Sequence, residues 1–214
     1  MVISKQVEVA PLERGKHAKD RRQQALIEAA TAVFADHGYD AATTREVAER
    51  AGCSEGLIHR YFGGKRGLLL ATLESRCGEV VRQLDAALPQ PDSLEEEIEQ
   101  LLLWHLAAMW ERRDLMRVSV SQAIIDPEVG RSVNDSINRH RVDLIIERLR
   151  RHQQAGRLRY DLELEAVAHA IAGLGFAFGF LGQVVFEMDR AYVRRAASVV
   201  AGVLSRGMTA GPEA

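Results

Sequence analysis

The sequence predicts an all-α protein: a three-helix N-terminal head followed by a bundle of longer helices. Three observations carry this. Apolar residues recur three and four apart along most of the chain, which is the helical period. No run alternates β-branched with polar residues, and only five prolines interrupt the 214 residues. Hydrophobic residues are 47% and charged residues 27%, the balance of an ordinary globular chain with room for one domain or two small ones.

The elements follow in order. Residues 1–18 have no apolar period and read as a flexible arm. In "DRRQQALIEAATAVFADHG", Leu26, Ala30, Val33 and Phe34 share one helical face, and Gly38 is a stop signal. Thr43 and Glu46 have the spacing of a capping box, which starts a second helix near Thr44; Val47, Ala48 and Ala51 form its small apolar face and Gly52 ends it. Ser54 is placed to cap a third short helix, in which Ile58 and Phe62 face inward before Gly63 and Gly64. Longer helices are expected over 66–88, 93–113 and 115–125. Another leads out of "DPEVGRS" and ends at Gly156; two more cover 164–186 and 190–208, before a tail at 209–214 expected to be disordered. The domains expected are thus the arm, a helix-turn-helix head over 19–65, and a body over 66–208.

Charge divides the same way. Residues 1–77 hold 12 Lys/Arg against 10 Asp/Glu and all four lysines, whereas residues 78–214 hold 16 against 20. The asymmetry is modest and compatible with a head that meets a polyanion. Cys53 and Cys77 suggest no disulfide framework, and no secretory leader pattern precedes them, so free thiols in a reducing cytoplasm are expected. No His/Cys pair has metal-ligand spacing; neither a metal nor a cofactor is expected.

The stretch "TTREVAERAGCSEGLIHRYFGGK" encodes helix, tight turn, helix. Such a unit presents the residues at the start of its second helix to the DNA major groove while its surroundings grip phosphates. Outward positions on the third helix are Glu55, Gly56, His59 and Arg60. Arg60 suits guanine and Glu55 cytosine; His59 can donate or stack, and Gly56 permits close approach of the backbone. Phosphate grips are the Thr44 hydroxyl, Tyr61, Lys65, Lys19, Arg21 and Arg22, with Arg45 able to reach a base edge or a phosphate. The plainer reading of each is a solvated helix residue, a partly buried Tyr61, and a Lys65 that merely opens the next helix. Their convergence on one surface favours the DNA reading.

At these residues the chain resembles the DNA-binding head of TetR-family transcriptional regulators. The resemblance covers roughly residues 20–70 and rests on Phe34, Gly38, Thr43–Thr44, Val47–Ala48, Ala51–Gly52, Ser54, Gly56, Ile58, Tyr61–Phe62, Lys65 and Leu68. It adds Ser54 and Leu57 to the expected DNA-contacting set. Two departures bear on base preference. The family often has Tyr where this chain has His59, a shorter and titratable group. It often has Thr or a similar small residue where this chain has Leu57, which trades a hydroxyl for a methyl contact. The resemblance implies a homodimer on a pseudo-palindromic double-stranded DNA operator, usually as a repressor, with the last two long helices paired against their mates.

In the body, residues 166–186 contain no Asp, Glu, Lys or Arg. Length alone makes this a transmembrane candidate, and Gly175-x-x-x-Gly179 has the form of a close-packing motif. His169, Gln183 and four glycines favour instead a helix buried on most sides against its own body and a partner subunit; no membrane role is expected. The remaining helices can enclose a small-molecule site. Its candidate lining is Trp104, His105, Met109, Trp110, Val118, Gln122, Ile137, His140, Arg141, Leu144 and Phe176. The same residues at helical spacing also suit a plain core. A ligand there would be mostly apolar or aromatic, with Arg141 or a histidine at an acidic or carbonyl end.

An enzyme finds little support. No Gly-x-Ser-x-Gly elbow occurs, and "FGGKRG" lacks the glycine spacing and Ser/Thr of a phosphate loop. The alternative from another class is a helical carrier or interaction protein with no DNA role, which leaves the polar third-helix surface unexplained.

Overall fold

A computed structural model describes residues 11–209, and the side chains of all of these except 11–16, 77–87 and 136–137. The described residues form ten helices: α1 (Pro11–Ala41), α2 (Thr44–Arg50), α3 (Glu55–Phe62), α4 (Lys65–Ala87), α5 (Leu94–Glu111), α6 (Arg113–Ile125), α7 (Pro127–Val133), α8 (Arg139–Gln154), α9 (Leu164–Phe176) and α10 (Arg190–Met208). Two wider-wound π-helical stretches are inserted: Asn134–Asn138 joins α7 to α8, and Ala177–Val185 extends α9. The chain divides into two compact units between Thr72 and Leu73, with α4 running from one into the other. That division falls within α4, not at its start as the sequence boundary of 65/66 had it.

In the N-terminal unit the expected apolar face is the observed core. Leu26, Ala30, Val33 and Phe34 of α1 bury against Val47 and Ala48 of α2, Ile58 of α3, and Leu68 and Leu69 of α4. Full burial of each large side chain contributes about 1.5–3 kcal/mol. The helix from Pro11 replaces the last part of the arm expected over 1–18; residues 1–10 lie outside the described residues. Gly38 breaks α1 as its type suggested, at φ 75°, ψ 170°, although a further turn follows to Ala41. Thr43 has extended backbone, and its hydroxyl accepts from the Glu46 amide at 3.1 Å, so the cap is real and contributes about 1 kcal/mol. Ser54 has cap backbone geometry too, but its hydroxyl makes no cap bond, contrary to the expectation. Gly63 closes α3 in the left-handed region, at φ 75°. Gly67 is required for a different reason: a Cβ there would lie 1.7 Å from the Phe62 carbonyl oxygen, where α4 starts against the end of α3.

In the C-terminal unit α5 is central. Leu94, Ile98, Leu101, Leu102 and Leu106 fall on its buried face and pack with Val142, Ile145 and Leu149 of α8, Ile171 and Ala172 of α9, and Val193, Ala197 and Ala201 of α10. This core also contains charge. Arg148 and Glu97, both about 1% exposed, form an ion pair; His152 Nε2 lies 3.3 Å from the second Glu97 oxygen; and Arg148 Nη2 donates to the carbonyl of Pro89, just beyond α4. Arg157 Nε donates to His152 Nδ1 at 3.3 Å, which makes Nε2–H the donor to Glu97.

The Gly175/Gly179 pair is a contact inside this unit. A Cβ on Gly175 would stand 2.9 Å from His105 Cβ, and one on Gly179 would stand 3.0 Å from Met109 Cγ, so α9 approaches α5 as only glycine allows. The stretch Leu164–Val185 is long and apolar enough to cross a membrane by length and composition. Within the single chain, 33% of its most apolar window is buried.

Candidate functional site

Two places gather the residues singled out from the sequence. The first is the outer surface of α2 and α3. Arg45, Ser54, Glu55, Gly56, His59 and Arg60 are exposed, while Leu57 and Tyr61 are half-buried. Ile58, one helical step away, is fully buried and fixes which face turns outward. Nothing lies within 4 Å of where a Gly56 Cβ would be, so this glycine leaves an open notch on the exposed face.

Several polar groups of this surface are engaged with one another. Thr44 Oγ1 donates to Glu55 Oε1 at 2.6 Å and joins the first turn of α2 to the first turn of α3. The donor the sequence assigned to a phosphate is thus spent on the carboxylate assigned to cytosine. Arg45 Nε donates to Glu49 at 2.9 Å, which raises the guanidinium's pKa further. Lys65 Nζ donates to the Asp40 carbonyl at 3.1 Å and sits 4.5 Å above the Tyr39 ring, anchoring the start of α4 to the end of α1. Lys19 Nζ lies 5.8 Å above the Tyr61 ring, bringing α1 and α3 together. Arg21 and Arg22 are exposed on α1. Two contacts hold α1 to α2: the Arg50–Asp36 ion pair at 2.9 Å, and His37 Nδ1, 2.8 Å from a Glu46 carboxylate oxygen. The sequence reading did not find these two, because partners 14 and nine positions apart leave no local signal.

The second place is a cavity of about 390 Å³ in the C-terminal unit. Of the expected lining, Trp104, His105, Met109, Arg141 and Phe176 are on its wall. Six others are not shown there. Trp110 lies instead in a separate recess, its ring between the guanidiniums of Arg190 at 4.3 Å and Arg113 at 5.0 Å. Val118 and Gln122 are buried in α6 away from the wall; His140 is exposed; Leu144 packs on the main core; and Ile137 lies outside the described side chains. The sequence reading missed Ala108, Arg112, Met116, Ser119, Val120, Gly130, Val133, Asn134, Asn138, His169, Ala172 and Gly173. Those from α6 and α7 had no local signal, since the wall depends on how α5, α6 and the 134–138 stretch meet.

His105 is 1% exposed and its Nδ1 is 2.6 Å from the Leu101 carbonyl. Burial, reinforced by the Arg141 charge, lowers its pKa to about 3, so the ring is neutral at pH 7. Nδ1 carries the proton donated to Leu101, and Nε2 is a buried acceptor with no partner. A neutral ring with that tautomer offers Nε2 to the cavity only as an acceptor. Arg141 Nη2 donates to Asn138 Oδ1 at 2.7 Å.

Comparison with known proteins matches both parts of the chain to known regulators. Residues 26–72 match the bacterial regulatory proteins of the tetR family, and residues 103–206 match the C-terminal domain of AefR-like transcriptional repressors. Over 154 residues the chain is 32% identical to the HTH-type transcriptional repressor AcnR of Corynebacterium diphtheriae, covering 68% of this chain and 73% of AcnR. It is 38% identical over 81 residues to the HTH-type transcriptional regulator BetI of Rhizobium meliloti, covering 38% of this chain and 40% of BetI. Among solved structures, the fatty acid degradation regulator FadR from Bacillus halodurans superposes with a TM-score of 0.69 at 19% identity, over 91% of this chain and 96% of that one. FadR from Bacillus subtilis in complex with stearoyl-CoA gives 0.69 at 18% identity, over 86% and 98%. At these identities the two structures speak to the fold.

Proposed function

The chain belongs to the TetR family of DNA-binding transcriptional regulators, which are not enzymes, and from that premise we propose a homodimeric repressor that a small, mostly apolar effector releases from a pseudo-palindromic operator. The observation that carries the DNA reading is the exposed face of α3. Ile58 turns inward, and Glu55, Gly56, His59 and Arg60 are left outward on a helix too short to serve as core on both sides. One such helix reads only a few base pairs. Two related by a two-fold axis double the readout, with half-site centres ~34 Å or a multiple apart.

The dimer reading draws on apolar surface that the single chain leaves open. Tyr192, Val199 and Val203 recur on one exposed face of α10, and Ala166, Ala170 and Gly173 on one face of α9. A second copy of the chain is the partner that such a face suits. The effector reading draws on the 390 Å³ cavity, whose size fits a drug-sized ligand, and on the acyl ligand of the Bacillus subtilis FadR complex. Helix α4 is the covalent link from the cavity-bearing unit to the head. An effector lowers DNA affinity only to the extent that it binds the non-reading state more tightly. A protein that reads the chromosome works inside the cell.

The test is DNA binding by Tyr61→Ala and Lys65→Ala variants whose melting shows them folded. Both should bind every duplex more weakly, with a shallower salt dependence than the parent. Unchanged affinity at every salt concentration would favour the helical carrier.

A further inference from the structure

One atom of the cavity wall is a buried acceptor that nothing in the chain satisfies. His105 lies on the wall and is 1% exposed, and its Nε2 has no hydrogen-bond partner. Geometry fixes the tautomer. Nδ1 stands 2.6 Å from the Leu101 carbonyl, which can only accept, so Nδ1 carries the hydrogen. The ring is neutral at pH 7, so Nε2 keeps a bare lone pair. The rest of the ring is covered. A Cβ on Gly175 would stand 2.9 Å from His105 Cβ and Cγ and 3.3 Å from Cδ2, so α9 lies over that side, and the edge left to the wall is the one that carries Nε2.

A buried acceptor without a partner favours a ligand that brings a donor. A carbonyl or carboxylate oxygen set against Nε2 would place lone pair against lone pair. An ammonium would donate, but it would lose its hydration among apolar groups. A neutral hydroxyl donates at the smallest desolvation cost. The body that carries it faces Trp104, Met109, Met116 and Phe176, flat rings and thioethers that suit an aromatic ring. On the reading of this cavity as the effector site, we infer that the effector is a neutral aromatic hydroxyl compound, a phenol or naphthol in kind, whose O–H donates to His105 Nε2. About 390 Å³ is near the lower end for ligand pockets, so its body is a few rings at most.

The experiment is equilibrium dialysis of the full-length protein against 2-naphthol, 2-methoxynaphthalene and 2-fluoronaphthalene at neutral pH. The ether and the fluoride keep the ring system and lack the donor. 2-Naphthol should bind about tenfold tighter than either, as a hydrogen bond to a buried acceptor implies. His105→Leu should bring the three within about threefold of one another, and His105→Gln, which keeps an acceptor, should retain part of the preference. A second readout needs no variant. In protein with isotope-labelled histidine, the nitrogen resonance of His105 Nε2 should move upfield on adding 2-naphthol and stay in place on adding the ether. The inference is overturned if the three compounds bind alike, as when water serves Nε2, if none binds, if folded His105→Leu keeps the preference, or if the Nε2 resonance does not respond to bound 2-naphthol. DNA binding is measured with and without each compound. Release of DNA by all three alike defeats this inference and leaves the effector reading standing. Preferential binding of 2-naphthol without any change in DNA affinity defeats the effector reading and leaves the hydroxyl contact at His105 standing.

Discussion

His105 shows how far one position can combine roles. Its side chain packs directly on Gly175, its Nδ1–H is committed to Leu101, and its ring closes one side of the cavity as a neutral group. The folded protein refuses the proton until about pH 3, whereas the unfolded chain takes it near the ordinary 6.5. Protons therefore favour the unfolded state between those values. Stability is full above about pH 6.5 and falls as pH falls through the window, by up to about 1.4 kcal/mol per pH unit from this residue. His105→Leu should accordingly lose less stability than the parent between pH 6.5 and 4.5, read from urea unfolding at each pH. Equal losses would contradict the buried neutral ring. Single residues were unevenly legible in the sequence. Ile58 and Phe34 were recoverable because helical spacing alone assigns their face. The partnership of Thr44 with Glu55 was not, because both were read as outward groups and nothing local says they face each other across the turn. Trp110 was assigned to the cavity by its neighbours in sequence, but it points to the recess beside Arg190, near the start of α10.

At the scale of elements, α5 and α8 are joined through charge inside an apolar core. A buried ion pair need not add net stability, but leaving one member alone is costly. Glu97→Ala should destabilise by about 3–5 kcal/mol, since Arg148 would remain buried with its main partner gone. Replacing both residues by Met should cost clearly less than that single change, measured as a double-mutant cycle in urea. A double variant as unstable as the single would show that the polar contacts to Pro89 and His152 dominate instead. Some element ends were legible from local chemistry: Thr43 and Ser93 cap helices with their side chains and Gly63 ends α3, whereas the Asp189 cap of α10 was not read and Ser54 makes no cap bond. The π-helical stretches were not legible. Ala177–Val185 has ordinary helical composition, and its extra width accompanies the glycine-mediated approach of α9 to α5, which is a tertiary matter.

At the scale of the whole molecule, the chain separates a DNA-reading unit from a unit with a cavity and an open apolar face, connected through α4. The core of the head was largely readable because its helices and their apolar faces lie within about fifty consecutive residues. The body was readable only as helices: its cavity is assembled from α5, α6, α7, the 134–138 stretch, α8 and α9, and residue spacing along one helix does not say which others it meets. The account's central claim is that the exposed α3 face reads a two-fold DNA sequence. The most direct measurement is selection of bound duplexes by the ligand-free, full-length protein from a random library, followed by footprinting of the winners at two salt concentrations. The expected result is a single inverted repeat whose half-site centres lie about one helical turn or a multiple apart, with a preference altered at one symmetric position by Arg60→Ala. Recovery of unrelated sequences bound no better than the starting library would contradict it.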